Sequence, residues 1–210
     1  MIHRRSLLAG SLGVPLLAAC GGGDEEPPAT IEGVSDDGFH GTFIEEGMPL
    51  PDVELIDQNG QPYNIRTGWK TKAIALFFGY LNCPDVCPGI MADMAMARRR
   101  MPEELAAEIT PVVITTDPAR DTPEALKAYL ERVDDSFVGL TGELETIMGI
   151  GNQVGISIEQ GKQLPSGGYE VDHSTQVLGV AEDREVHVVW TTLGLDVANL
   201  REDYTRLVEL

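Results

Sequence analysis

The segment that most restricts the fold is Ala73–Tyr80, which reads AIALFFGY and is nearly all apolar. A strand with one face in water alternates apolar and polar residues, whereas a strand buried on both faces is a short, continuous apolar run. Burial on both faces requires other elements to cover the sheet above and below. We therefore predict that Ala73–Tyr80 is the central strand of an α/β domain.

Strand and helix patterns alternate along the rest of the chain. A second apolar run, Pro111–Thr116, predicts another buried strand, and Thr122 followed by Pro123 predicts the capped start of a helix. The further predicted elements are a hairpin over 53–65 with an Asn-Gly turn, helices over about 85–100, 122–133, 143–154 and 196–210, and antiparallel strands over 176–181 and 185–190. This order is similar to that of a thioredoxin-like fold, with a mixed central sheet, helices on both faces and an extra N-terminal β-hairpin.

The first 38 residues carry the patterns of an export signal and a linker. Arg4 and Arg5 precede an uncharged stretch over 6–19, which is the order of a secretory signal. The stretch ends in LAAC, which resembles the bacterial lipoprotein cleavage box, where the Cys becomes the lipidated N-terminus; an ordinary signal peptide with an incidental Cys is the alternative. Residues 21–38 are rich in Gly, Pro and acidic residues, and they have little to bury.

These patterns divide the chain into a lipoprotein signal peptide over 1–19, lipidated Cys20 with a flexible acidic linker over 20–38, and a folded domain over 39–210. We expect the protein to be exported and held on the periplasmic side of the cell membrane by the lipid at Cys20. The chain has 34 acidic and 15 basic residues, a formal net charge of −19, which opposes binding to nucleic acid.

The candidate chemistry lies in the segment NCPDVCP over 82–88, which follows the central strand and opens a helix. Cys83 is predicted in the loop and Cys87 in the first helical turn, with both sulfurs on one side. Backbone amides and the positive end of the helix dipole favour a thiolate there. Soft thiolates prefer Cu(I) or Zn(II) to hard ions.

Several uses of this cysteine pair stay open. It could be a buried pair or a plain structural disulfide. A thioredoxin-type redox centre has two residues between its cysteines, whereas three separate Cys83 from Cys87. A peroxiredoxin-type site needs a Thr three residues before its Cys, where this chain has Tyr80. A metal site needs a third ligand from elsewhere in the chain.

His173 is the candidate for that third ligand. It follows a predicted loop over 161–168 and precedes the predicted strand over 176–181. In a thioredoxin-like sheet, the loop that enters this strand lies beside the loop that carries the cysteines. Redox proteins of this fold have a Pro at that point, so a His there favours a metal site. His40 and His187 are predicted to be structural.

Two other groups of residues have plain structural interpretations. Met91 and Met94 could suggest a copper-binding methionine cluster with Met96, but they lie at helical spacing from Cys87 and are predicted to face the core. The loop over 117–121 is either a partner surface or the cap of the helix that follows it.

Four segments together resemble the Sco (SenC) family of copper-handling proteins needed to assemble cytochrome c oxidase: GYLNCPDVCP over 79–88, TDPARDTPE over 116–124, GLTG over 139–142 and VDHS over 171–174. The resemblance implies that Cys83, Cys87 and His173 bind one copper ion, as Cu(I) or Cu(II), and that the two cysteines form a disulfide when oxidised. Asp85 and Asp172 are expected near the metal without binding it.

The same resemblance implies a metallochaperone, not an enzyme, that delivers copper to the CuA centre of cytochrome c oxidase subunit II. Other periplasmic copper or thiol-redox proteins are further expected partners, and membrane contact is expected through the lipid anchor. The alternative is a thiol–disulfide reductase that keeps the CuA cysteines of that subunit reduced, with His173 as an accessory. A third reading is a copper or redox sensor that acts through protein contacts.

Overall fold

The computed structural model describes residues 38–163, 169–191 and 196–210, with backbone alone for 160, 162–163 and 169–173. The predictions for the signal peptide, Cys20 and most of the linker lie outside the described residues. The strands are β1 (Thr42–Pro49), β2 (Glu54–Asp57), β3 (Pro62–Asn64), β4 (Ala73–Gly79), β5 (Ile109–Thr115), β6 (Val138–Thr141), β7 (Ile158–Gln163), β8 (Tyr169–His173), β9 (Val177–Val180) and β10 (Glu185–Trp190). The helices are α1 (Cys87–Arg99), α2 (Glu103–Ala106), α3 (Pro123–Val133), α4 (Leu144–Gln153) and α5 (Val197–Val208).

The main sheet is mixed, as predicted, and has the strand order β1-β10-β9-β4-β5-β6-β2-β3. The central strand β4 pairs parallel with β5 and antiparallel with β9. The predicted hairpin forms from β2 and β3 and joins the sheet at one edge through β6. Gly60 in its turn has a φ of +73°, a backbone conformation that favours glycine.

The strand β4 is buried on both faces because its alternate residues contribute to two separate cores. Ala73, Ala75 and Phe77 pack with residues of α1, α3 and α5 on one face. On the other face, Ile74 and Leu76 pack with Ile147 and Ile150 of α4, among others. Successive side chains of a strand point to opposite faces, so a continuous apolar run was required here. The predicted helices on both faces of the sheet are therefore confirmed.

The helix starts follow from local chemistry. Thr122 is the N-cap of α3, and its side-chain oxygen accepts a hydrogen bond from the Ala125 amide at 3.3 Å, with Pro123 first in the helix. Asp196 caps α5 in the same way. The first predicted helix begins at Cys87, two residues later than expected, so residues 85–86 belong to the preceding loop.

Within the described ranges, none of the helices combines the length and apolar character that crossing a bilayer requires.

Four strands were not predicted: β1, β6, β7 and β8. The prediction of a loop over 161–168 is wrong for residues 161–163, which end β7, and His173 ends β8 instead of lying in a loop. These two strands pair with each other as a separate two-stranded sheet. Their sequences, IEQGKQ and YEVDH, contain too few apolar residues to produce the alternation that identifies a half-buried strand.

Candidate metal centre

The cysteines lie where the chain leaves β4 and enters α1. Residues 80–86 form the connecting loop, here called the cysteine loop. Within it, the Cys83 amide donates to the Tyr80 carbonyl oxygen at 3.3 Å, which closes a tight turn. The Leu81 amide donates to Asp121 Oδ2 at 3.0 Å and so joins the loop to the segment after β5. The loop is thus held both within itself and from the neighbouring connection.

The two thiols are in different environments. Both cysteines are reduced, Cys87 is fully buried and Cys83 is partly exposed. Burial opposes ionisation of Cys83, but hydrogen bonds from the Cys87 thiol and from the amides of Cys87, Asp85 and Val86 outweigh it and lower the pKa of Cys83. Burial and the neighbouring Cys83 raise the pKa of Cys87 to about 12. Cys83 is therefore the cysteine of the pair that ionises more readily, and Cys87 is the one that keeps its proton.

The start of α1 explains why the pKa of Cys83 is lowered. The N-cap residue is Val86, which has no side-chain group to accept a hydrogen bond from the first-turn amides. The first amides of a helix need acceptors from outside the helix, and an anion is favoured there. The Cys83 sulfur accepts from the amides of Cys87, Asp85 and Val86, and these contacts agree with the prediction that the helix start favours a thiolate.

Two tyrosines that the sequence interpretation did not assign to the site flank the thiols. Burial, the negative charge of Cys83 and a hydrogen bond with it raise the pKa of Tyr80 to about 12. Burial and then the charges of Cys87 and Cys83 also raise the pKa of Tyr129, which is on α3. Both phenols therefore stay protonated, and the Tyr80 hydroxyl can donate to the thiolate.

Asp121 is a third residue whose part in the site was not predicted. The loop over 117–121 was interpreted as a partner surface or a helix cap, but Asp117 and Asp121 are buried. Asp121 Oδ2 accepts from the Leu81 amide and from the Thr115 hydroxyl at 2.6 Å. This carboxylate therefore ties the cysteine loop to the end of β5.

The backbone brings His173 to the same edge of the sheet as the cysteine loop. Phe77, near the end of β4, pairs with Val177, the first residue of β9. The cysteine loop begins three residues after Phe77, and His173 lies four residues before Val177. Across the small sheet His173 pairs with Ile158. The side chains of His173 and Asp172 are outside the described residues, so their roles stay predictions.

The remaining predicted residues are placed as follows. Asp85 is exposed, and its amide, not its carboxylate, contributes to the stabilisation of the Cys83 thiolate. Met91 and Met94 are buried in the core, as predicted, whereas Met96 is 41% exposed. His40 lies 3.2 Å from Glu202 at an exposed position.

The arrangement supports two kinds of chemistry. A thiolate next to a thiol that can lose its proton provides two soft sulfur donors for one thiophilic metal ion. The same pair can act in thiol–disulfide exchange, with Cys83 as the nucleophile and Cys87 as the resolving thiol. The geometry of the two cysteines is compatible with both uses.

The difference between the thiols predicts their reactivity. Because the pKa of Cys83 is lowered, its alkylation by iodoacetamide should begin at lower pH than that of a free thiol, whereas Cys87 should react only when the protein unfolds. Mass spectrometry of the reduced protein after timed alkylation from pH 5 to 9 measures this. Equal rates at the two cysteines, or faster labelling of Cys87, would show that the assignment of the thiolate is wrong.

Known proteins resemble the chain in sequence and fold. A protein of Stutzerimonas stutzeri, named for an inferred copper-binding role, is 37% identical over 134 residues, which cover 64% of this chain and 65% of that protein. The alignments span between 40% and 65% of the length of the first curated relatives. Because the alignments leave at least a third of each of these proteins unmatched, similarity alone does not assign their full activity to this chain.

Solved structures confirm the thioredoxin-like fold. ScoI of Bradyrhizobium japonicum, solved with copper bound, is 27% identical, has a TM-score of 0.66, and is matched over 77% of this chain and 98% of that one. BsSco, described with a disulfide switch and as a member of the Sco family of cytochrome c oxidase assembly proteins, is 17% identical with a TM-score of 0.60, over 80% and 98% of the two chains. The SCO1/SenC family model matches residues 50–209, and the chain therefore belongs to the SCO1/SenC family.

Proposed function

We propose that this protein is a copper metallochaperone that binds one copper ion through Cys83, Cys87 and His173. The observation that carries the proposal is the hydrogen-bonded pair of Cys83 and Cys87 at the start of α1, in which the pKa of Cys83 is lowered. It supplies two sulfur donors in a protein whose relative ScoI was solved with copper bound. An imidazole from His173 would complete a three-coordinate Cu(I) site and would also suit Cu(II), because nitrogen is a harder donor than sulfur.

The cargo is delivered to the CuA centre of cytochrome c oxidase subunit II. The naming of Sco proteins as cytochrome c oxidase assembly proteins supports this destination. Transfer proceeds by exchange of ligands, since each thiolate of the acceptor can replace one donor of the chaperone in turn. Partial exposure of Cys83 makes it the sulfur that an acceptor can approach, whereas Cys87 is buried.

The oxidation state of the pair controls loading. Transfer of two electrons, with the remaining thiol protons, from the pair to the disulfide of another periplasmic thiol-redox protein joins Cys83 and Cys87 in a disulfide and reduces that partner to two thiols. The disulfide has no thiolate left to hold copper. The protein acts on the periplasmic side of the membrane, where disulfides persist. Lipid on Cys20 keeps the domain beside its membrane-bound partner, with residues 21–38 as the tether.

Anaerobic copper titration of the reduced chain tests the proposal. The cysteine site is expected to bind one copper ion, supplied either as Cu(I) or as Cu(II), and the Cu(II) bound there should have a thiolate-to-copper charge-transfer absorption. His173→Ala should alter that absorption and weaken Cu(II) binding by about 10-fold or more, whereas His40→Ala, the control at an exposed histidine, should not. Absence of stoichiometric copper binding would refute the chaperone proposal, and an unchanged spectrum in His173→Ala would refute the ligand role.

A thiol–disulfide reductase is the second candidate function, favoured by the asymmetry of the thiols. The Cys83 thiolate would attack a disulfide of subunit II, and Cys87 would resolve the mixed disulfide, so that the partner gains two electrons and the pair loses two. The comparison that separates the functions is metal-free, reduced protein incubated with the oxidised CuA domain. Rapid reduction of that domain by a protein without tight copper binding would favour the reductase.

A further inference from the structure

A second group of potential metal ligands lies away from the cysteine pair. Asp183 is in the turn between β9 and β10, and Glu185 and His187 are on β10 at alternate positions, on one face of the strand. One ligand atom from each of the three lies within 4.8 Å of the other two. His187 Nε2 is 2.8 Å from Asp183 Oδ2. Three side chains therefore converge on one point of the surface.

The imidazole of His187 is held in a fixed orientation. Its Nδ1 lies 3.0 Å from the carbonyl oxygen of Ile44, to which it donates a hydrogen bond. The ring stacks on Phe43, with centroids 5.9 Å apart and planes 20° apart. Metal-binding histidines usually donate their other N–H to a carbonyl or carboxylate in this way. Nε2, the atom left for a ligand bond, faces the carboxylates.

An irregularity in β1 creates this arrangement. Phe43 pairs with Val188 and Met48 with Val186, so β1 advances five residues while β10 advances two. The bulge lies opposite His187, and the Ile44 carbonyl within it bonds to the imidazole. Bulges commonly redirect side chains near functional sites.

Gly47, within the bulge, is packed against the ligand group. A Cβ at this position would lie 2.6 Å from Glu185 Oε2 and 2.7 Å from His187 Cε1. Any other residue at 47 would displace one or both of these side chains. The close approach of β1 therefore depends on a glycine at this point.

The donor set determines the ion. Two carboxylates and one imidazole suit a borderline divalent ion such as Zn(II) or Cu(II), and they offer no soft donor to Cu(I). The carboxylates balance the charge of a divalent ion, and the exposed side chain of Asp183, 52% accessible, leaves an open side for entry. Ligand bonds of about 2.0–2.2 Å would require only small side-chain movements from the present distances.

We propose that Asp183, Glu185 and His187 form a second metal site, for Zn(II) or Cu(II), that is independent of the cysteine pair. The site lies toward the far end of β9 from the cysteine loop, because the loop is beside Val177 and the β9–β10 turn follows Val180. On binding, the ion takes the place of a proton at His187 Nε2.

Zn(II) titration of the full chain tests the proposal. Cys83→Ser, Cys87→Ser and His173→Ala are combined first, so that the candidate copper ligands cannot contribute. Calorimetry should detect one Zn(II) per chain in this background. Adding His187→Gln or Asp183→Asn should weaken binding by about 10-fold or more, a loss at the low end of what metal sites show when one supporting group is removed. Gly47→Ala should weaken it as well, although it removes no ligand.

His40→Gln is the matched control, because the His40 imidazole contacts the Glu202 carboxylate at 3.2 Å but belongs to no group of three potential ligands within the described residues. It should leave Zn(II) binding unchanged. Asp183→Asn keeps an oxygen for the Glu185 amide, which donates to Asp183 Oδ1 at 3.0 Å, so this variant is expected to fold even if His187→Gln does not. No Zn(II) binding in the background chain, or binding that survives Asp183→Asn and Glu185→Gln, would overturn the proposal and leave the group as a structural ion pair.

Discussion

Replacing Cys83 by Ser is expected to weaken Cu(I) binding by more than about 100-fold. Loss of a residue that only orients a metal ligand costs up to about 100-fold in affinity, and Cys83 is proposed as a ligand itself. Cys83 is the more readily ionised sulfur of the pair, whereas a serine hydroxyl is a harder donor that stays protonated at neutral pH. Because Cys83 is partly exposed, the free energy of unfolding should change little. Competition with a chromophoric Cu(I) chelator under anaerobic conditions, together with urea unfolding, measures the two effects.

Cys87→Ser is expected to differ from Cys83→Ser in its effect on stability. The buried Cys87 packs in the core with Phe77 and Met91, so Ser should lower both copper affinity and the free energy of unfolding, because a hydroxyl enters an apolar site. Met96→Leu is the control on the same helix, since it removes an exposed sulfur that is not expected to bind copper. Retention of wild-type Cu(I) affinity in Cys83→Ser, or its loss in Met96→Leu, would contradict the proposed donor set.

The elements that the sequence predicted are those with a local cause. The apolar run at Ala73–Tyr80 predicted β4, because a strand buried on both faces needs apolar residues throughout. The Thr122-Pro123 pair predicted the start of α3, because helix capping requires particular residue types at particular positions. The sequence of β7 has no such pattern, since this strand pairs with β8 in a separate two-stranded sheet and its residues are mostly polar.

The features of the site could also be predicted only where residues adjacent in sequence determine them. The ionisation of Cys83 could be predicted because the helix start that stabilises it is adjacent in sequence. The contributions of Tyr129 and Asp121 could not, since they depend on α3 and the β5–α3 connection packing against a loop about 40 residues earlier. His173 was chosen from its place before β9, and the register of Phe77 with Val177 agrees with that reasoning for the backbone.

Asp121→Ala is expected to lower both stability and Cu(I) affinity. It leaves the Leu81 amide and the Thr115 hydroxyl without their buried acceptor, at a cost of about 1–3 kcal/mol for each donor. The cysteine loop then loses its tie to β5, and Cu(I) affinity should fall by about 10- to 100-fold, as for other groups that orient metal ligands. Asp121→Asn retains an acceptor oxygen and should keep most of the affinity.

The pH dependence of Asp121→Asn gives a second test. Burial raises the pKa of Asp121 despite the hydrogen bonds from Thr115 and Leu81. A carboxyl with a raised folded-state pKa stabilises the fold fully below its unfolded-state pKa, and that stability is lost as pH rises through the folded-state value. Asn does not titrate, so this effect lowers the unfolding free energy of wild type, but not that of Asp121→Asn, between pH 4 and pH 7. The unfolding free energy of Asp121→Asn minus that of wild type should therefore be larger at pH 7 than at pH 4, as urea unfolding at the two pH values would show.

Asp203→Ala distinguishes positioning from general stability. Asp203 is an equally buried carboxylate, but it accepts from the amides of His40 and Gly41 and from the Trp190 indole, not from the cysteine loop. Its removal should destabilise the fold and leave the Cu(I) affinity of the folded protein unchanged. If Asp121→Ala and Asp203→Ala lose stability alike and both keep wild-type Cu(I) affinity, Asp121 supports the fold and does not position the copper ligands.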